Sequence, residues 1–160
     1  MYHHYFSTPS DFPRPFIHIS ADNHGVTSVN FVKNIIEKEG KNAHIEQCIK
    51  ELQEYFNGER NNFSVLLNPT GSHFQKRVWQ QLSEIPYGQC WSYKKLAIAL
   101  GSANFCRAVG MANSRNPIAL IIPCHRVIGH DGKLVGYSGG LDIKSWLIGY
   151  EKNRNNRKIG

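Results

Sequence analysis

With 160 residues, 41% of them apolar, the chain has enough hydrophobic content to bury the core of one domain or of two small lobes, which excludes a disordered protein. Nineteen Lys and Arg against twelve Asp and Glu give a formal charge of +7, which points to polyanionic partners such as nucleic acid and away from acidic small molecules. No apolar run approaches the roughly 18 residues of a membrane span, and Met1-Tyr2-His3-His4 lacks the basic region and apolar stretch of a signal peptide, so a cytoplasmic protein without membrane association is expected.

The first dozen residues carry little pattern. Beyond them, two apolar runs at 16–19 and 26–32 flank Asp22-Asn23-His24-Gly25 and predict a hairpin. Ile45, Cys48, Ile49, Leu52, Tyr55 and Phe56 recur at helical spacing up to Asn57-Gly58, which places Cys48 in a core. Residues 63–67 predict one more strand before the breakers Asn68-Pro69-Thr70-Gly71, the expected lobe boundary. Phe74, Val78 and Leu82 then mark a helix ended by Pro86-Tyr87-Gly88.

Ser92 suits the cap of a helix with Tyr93, Leu96, Ala97 and Leu100 inward, and Gly101 suits its left-handed stop. Ser102 caps a second helix with Phe105, Ala108, Val109 and Ala112 inward, so Gly101-Ser102 turns between them in a helix-turn-helix pattern. Asn104, Arg107 and Met111 lie off that stripe. Ala103, Ala108, Gly110 and Ala112 keep the second helix slim enough to press into a nucleic-acid groove. An apolar strand over 118–122 leads to Pro123-Cys124-His125-Arg126. A last helix has the stripe Ile143, Trp146, Leu147 and Tyr150, with Glu151 at its edge near the C-terminal end, and 153–160 predict a frayed basic tail.

Cys48, Cys90, Cys106 and Cys124 form no C-x-x-C pair, which reads as free thiols in a reducing compartment. A thiol pKa near 8.5 leaves only a few per cent thiolate at neutral pH, so a nucleophilic Cys124 needs a base or positive charge close by. His125 and Arg126 supply both. Neighbouring side chains of an extended segment point to opposite faces, so His125 serves Cys124 only through a backbone turn or a bridging water. Glu151 is a candidate to orient the imidazole, because a carboxylate near a helix C-terminus is locally unfavourable and so suggests another purpose. The pair His44 and Glu46 with Pro123-Cys124 partly matches a zinc deaminase, but Val127 stands where the second Cys belongs, and three protein ligands are the minimum for catalytic zinc. No metal site is expected, and nothing around Cys124 matches a papain-like signature.

Pro123-Cys124-His125-Arg126-Val127, Arg107-Ala108-Val109-Gly110 and Tyr137-Ser138-Gly139-Gly140-Leu141, in this order and spacing, resemble the O6-alkylguanine-DNA alkyltransferases. The resemblance covers about 74–151 and continues more weakly upstream through Leu52-Gln53-Glu54-Tyr55-Phe56-Asn57-Gly58. It implies an α/β (α+β) fold: a small N-terminal ribonuclease H-like sheet-and-helix lobe over 1–70, and a mainly helical DNA-binding and alkyl-acceptor domain over 71–152. The second domain would hold the helix-turn-helix and an active-site strand, and a flexible tail over 153–160 would follow.

The resemblance further implies DNA repair by direct reversal. The alkyl group on O6 of guanine, or on O4 of thymine, would move irreversibly to Cys124, once per molecule and without a cofactor, after the damaged base is flipped out. His125 would be the water-assisted base, Glu151 its orienting group, Tyr93 the proton donor to the leaving base and Asn116 a hinge. Arg107 would fill the space left by the base, with Ser92, Asn104, Ala108 and Gly110 also facing DNA in the minor groove. Val127, Tyr137, Ser138, Gly139 and Lys144 would form the alkylguanine pocket, and Arg126 would be structural. The implied partner is double-stranded DNA carrying O6-alkylguanine, bound by a monomer. The rival class, non-catalytic alkyltransferase-like lesion-binding proteins, carries Trp at the acceptor position, and Cys124 argues against it.

Overall fold

The computed structural model describes the backbone of residues 1–159 and the side chains of residues 1–155. The chain divides into two compact units, Met1–Thr70 with Pro117–Ile121, and Gly71–Asn116 with Ile122–Gly160. No helix among the described residues is long and apolar enough to cross a membrane.

In the first unit, β1 (Tyr2–Ser7), β2 (Phe16–Ala21) and β3 (Val26–Val32) form an antiparallel sheet in that order. The hairpin expected around residues 22–25 is β2–β3. Its turn closes because the Asp22 carboxylate accepts the backbone N–H groups of His24 and Gly25 at 2.8 and 3.1 Å. Strand β1 lies in the stretch without pattern: Tyr5 and Phe6 are buried in succession, which defeats a search for alternation. Next comes α1 (Ala43–Phe56), capped by Asn42, whose side chain accepts from Ile45 N at 3.0 Å. It lays Ile45, Cys48, Leu52 and Tyr55 into a core shared with Ile17, Ile19 and Val29.

The strand expected over 63–67 is absent. Glu51, buried on α1, accepts the N–H groups of Ser64 and Val65 at 2.7 and 3.2 Å, so those donors are spent on a carboxylate and only a single bridge forms, between Leu67 and Val26. Nor is there a strand over 118–122. Ile118 makes one bridge to Val29, and the chain then turns at Leu120, whose φ of 70° no strand accommodates.

In the second unit, α2 (His73–Leu82) opens with a reciprocal capping box between Ser72 and Gln75. The short β4 (Trp91–Ser92) leads into α3 (Tyr93–Ala99), whose cap Ser92 accepts Lys95 N at 3.0 Å. Gly101, at φ 127°, makes the turn that a side chain would strain. A 3-10 turn over Ala103–Phe105 then feeds α4 (Cys106–Ser114), completing the helix-turn-helix. That tighter first turn shifts the stripe expected for a continuous α-helix, although Val109 and Ala112 stay inward as expected. The buried face of α4 is therefore Val109, Ala112 and Asn113, while Phe105 and Ala108, expected inward, are exposed.

Cys124–Arg126 is also a 3-10 turn, which corrects the expected active-site strand; the strand β5 (Val127–Ile128) comes after it and pairs in parallel with β4. Finally, α5 (Leu141–Ile159) runs on through residues expected to fray, leaving only Gly160 outside the described residues. Glu151 thus lies within the helix rather than near its end, so the electrostatic misfit that singled it out does not apply.

Candidate active site

Four segments of the second unit meet at Cys124: the 3-10 turn that carries it, the residues just after α4, the loop holding Tyr137, and α5. Arg126 is the scaffold. Buried as the last residue of the turn, it donates from Nε and Nη2 to the two oxygens of Glu151 at 2.8 and 3.2 Å and from Nη1 to the Ile85 carbonyl at 2.8 Å. Its guanidinium also lies 5.6 Å from the centre of the Tyr87 ring. Glu151 Oε2 accepts as well from His125 Nε2 at 2.9 Å, with the His125 side chain fully buried. A carboxylate only accepts, so Nε2 carries a proton, and in the neutral imidazole Nδ1 then presents a lone pair. That Nδ1 is buried and has no partner among the described residues. Burial pushes the Glu151 carboxyl up, but the charges and hydrogen bonds of His125 and Arg126 outweigh it and hold the group well below the usual carboxylate range.

Cys124 is buried and forms no disulfide. Burial holds its thiol above the ordinary value, opposed by hydrogen bonds from the Asn116 amide and the Tyr137 hydroxyl and by the positive charge of Lys144. The sulfur at rest is therefore a thiol, surrounded by groups that favour the anion once it forms. Lys144, itself fully buried, donates to the Val135 carbonyl at 2.8 Å, and burial lowers its pKa. Asn116 also donates to the Ile122 carbonyl at 2.8 Å, which ties the segment after α4 to the turn that carries the thiol.

Tyr93 sits at the head of α3. Burial raises its pKa against a hydrogen bond from Asn113, with the Cys124 sulfur nearby also raising it, so the hydroxyl keeps its proton. A side chain on Gly110 would reach the Tyr93 ring at 3.8 Å, and one on Gly136 would reach its hydroxyl at 3.3 Å. Sequence reasoning misses Asn113, although a polar residue four places after Val109 on a buried stripe is a signal that could have found it.

Val127 is buried on β5, Tyr137 and Gly139 are half-buried, and Ser138 is exposed. Asn104, Arg107 and Ala108 lie exposed on α4 and its leading turn. Ser92 is engaged as a helix cap. Of the other cysteines, Cys48 is buried with its thiol pushed up to about 12 by burial and by Glu51, and burial also raises Cys90.

The DNA binding domain of the 6-O-methylguanine DNA methyltransferase family matches residues 73–153, and the ribonuclease-like domain of that family matches residues 1–69. A methylated-DNA--protein-cysteine methyltransferase of Methanosarcina acetivorans is 43% identical over 157 residues, 94% of this chain and 98% of the relative. Its counterpart in Methanosarcina barkeri is 53% identical over 107 residues, 67% of this chain and 68% of the relative. Among solved structures, Mycobacterium tuberculosis OGT in complex with DNA is similar at a TM-score of 0.85 and 35% identity, covering 96% of this chain and 94% of that one. With both of its domains matched in order along nearly the full length, the chain belongs to the 6-O-methylguanine DNA methyltransferase family.

Proposed function

We propose that the protein repairs DNA by moving the alkyl group from O6 of guanine, or from O4 of thymine, onto Cys124, in the reaction named for its methylated-DNA--protein-cysteine methyltransferase relatives. The observation that carries this reading is the buried chain Arg126–Glu151–His125, which in the neutral imidazole leaves a lone pair on Nδ1 in the residue next to a free thiol. Through one water, Nδ1 takes the Cys124 proton, and Glu151 stabilises the imidazolium. The sulfur attacks the alkyl carbon, the carbon–oxygen bond breaks, and the electron pair leaves on the base as Tyr93 passes its proton to it. Asn116, Tyr137 and Lys144 steady the thiolate in the interval.

The recognition helix lies in the minor groove of double-stranded DNA. Ala108 and Gly110 allow close approach, Asn104 and Ser92 add polar contacts, and Arg107 enters the stack in place of the flipped base. Val127, Ser138 and Gly139 line the pocket that receives that base. The protein works as a monomer in the cytoplasm, where its thiols stay reduced. A lesion-binding protein without transfer is not favoured, because the acceptor position holds a thiol.

The test tracks a labelled methyl group. Duplex DNA carrying labelled O6-methylguanine should pass its label to the wild-type protein and none to Cys124→Ser, which should still bind the lesion, because an un-ionised hydroxyl is a far weaker nucleophile than a thiolate. Label on the Cys124→Ser protein would sink the reading.

A further inference from the structure

We propose that the first unit carries a binding site for a borderline transition-metal dication, Zn2+ by preference, formed by His3 Nδ1, His18 Nε2 and Glu37 Oε2. The three atoms come from β1, from β2 and from the loop between β3 and α1, and all lie within 4.8 Å of one another. His3 Nδ1 is 2.8 Å from the Glu37 oxygen and 3.1 Å from His18 Nε2, which is 3.3 Å from the same oxygen. Zinc bonds of about 2.0–2.1 Å at tetrahedral angles set neighbouring ligand atoms about 3.3 Å apart. The triangle therefore already has nearly the edge lengths of a zinc site. The two imidazoles are within 8° of parallel, yet their centres are 5.2 Å apart and their nearest nitrogens only 3.1 Å, so they meet nitrogen to nitrogen, edge on.

Hydrogen bonding alone serves this geometry poorly. A ring nitrogen offers one proton or one lone pair, yet His3 Nδ1 faces a third partner too, Ser20 Oγ at 3.1 Å. If His3 donates, His18 Nε2 and the Glu37 oxygen are left lone pair to lone pair. If both rings donate to Glu37, their N–H groups are opposed. A dication in the triangle lets both nitrogens and the carboxylate act as electron-pair donors together, with a fourth position for water or the Ser20 hydroxyl. Two imidazoles and one carboxylate form a donor set suited to Zn2+ rather than to Ca2+ or Mg2+.

The surroundings hold the ligands in place. The Tyr5 ring stacks on His18 with centres 4.6 Å apart, and its hydroxyl accepts the backbone N–H groups of Ile36 and Glu37 at 3.3 and 3.0 Å. One side chain thus fixes the plane of one ligand and the position of another, as outer groups do around metal centres. Glu37 is about half exposed, at 49%, which leaves the site open to solvent. A bound ion would pin the β3–α1 loop to the sheet. No short spacing announces the set, because its members lie in three separate segments, so the sequence alone predicts no metal here.

The full chain, stripped with a chelator, is titrated with Zn2+ and with Co2+. About one equivalent should bind with a rise in Tm, and the Co2+ complex should show the visible bands of a four-coordinate nitrogen–oxygen site without thiolate charge transfer. His18→Gln and, at the half-exposed position, Glu37→Gln should each weaken Zn2+ binding by more than about tenfold. Absence of saturable binding, affinity unchanged in both variants, or a thiolate charge-transfer band in the Co2+ complex overturns the proposal.

Discussion

Removing the Glu151 carboxylate leaves Arg126 and His125 buried without their anion, and breaking such a pair from one side typically costs about 3–5 kcal/mol. Glu151→Gln should lower the unfolding free energy at neutral pH by that order, read from denaturant midpoints. The direction of the carboxyl's shift sets the pH dependence. A carboxyl held below its unfolded pKa contributes stability that is fully present above the ordinary carboxylate range and is lost as pH falls through the folded value. Wild-type stability should therefore drop more steeply than that of Glu151→Gln from about pH 5 downward, and equal slopes would contradict the ion-pair account. At this scale the sequence speaks clearly where chemistry is local: a thiol beside an imidazole is visible in two letters. It is silent on Arg126 as scaffold, because the Ile85 carbonyl and Glu151 that hold it are distant in the chain.

Among the elements, the helices are the most legible, since stripes of period 3.6 mark them and the expected caps at Ser92 and Ser102 agree with those stripes, while Asn42 and Ser72 cap two more that the stripes alone located. The failures have physical causes. An all-apolar run at 118–122 looks like a strand, but Leu120 turns it, and the donors at 64 and 65 are diverted to Glu51. Helix α4 keeps Val109 and Ala112 inward as expected, but buries Asn113 and leaves Phe105 and Ala108 exposed, because it begins as a 3-10 turn. Its position depends on Trp79, whose indole N–H donates to the Ala112 carbonyl at 2.9 Å and so joins α2 to α4. A methyl group on Gly71 would come within 2.4 Å of that indole. Gly71→Ala should therefore displace Trp79, cost about 1–3 kcal/mol of stability and weaken DNA binding although residue 71 is outside the recognition helix. Wild-type thermal stability and affinity in this variant would show that the indole does not position α4.

For the whole molecule, the charge of +7 is the feature readable before any motif, and it bears on DNA binding through phosphates. The logarithm of the binding constant should fall linearly with the logarithm of salt concentration, with a slope of about −0.9 for each phosphate neutralised. Affinity indifferent to salt would remove the electrostatic account. The order of the two lobes is legible through motif resemblance, whereas the contribution of Pro117–Ile121 to the first unit is not, because that stretch lies inside the second lobe in sequence and joins the sheet edge through a single bridge at Ile118. The central claim is that Cys124 keeps what it takes: a thioether has no leaving tendency under mild conditions, so each molecule acts once. Its most direct test is the intact-protein mass after incubation with excess duplex oligonucleotide carrying O6-methylguanine, with peptide mapping of the product. The account predicts a single gain of one methylene per chain, on the peptide containing Cys124, with no further lesion consumed after that. Continued turnover of excess lesion, or the added mass on Cys48, Cys90 or Cys106, would contradict it.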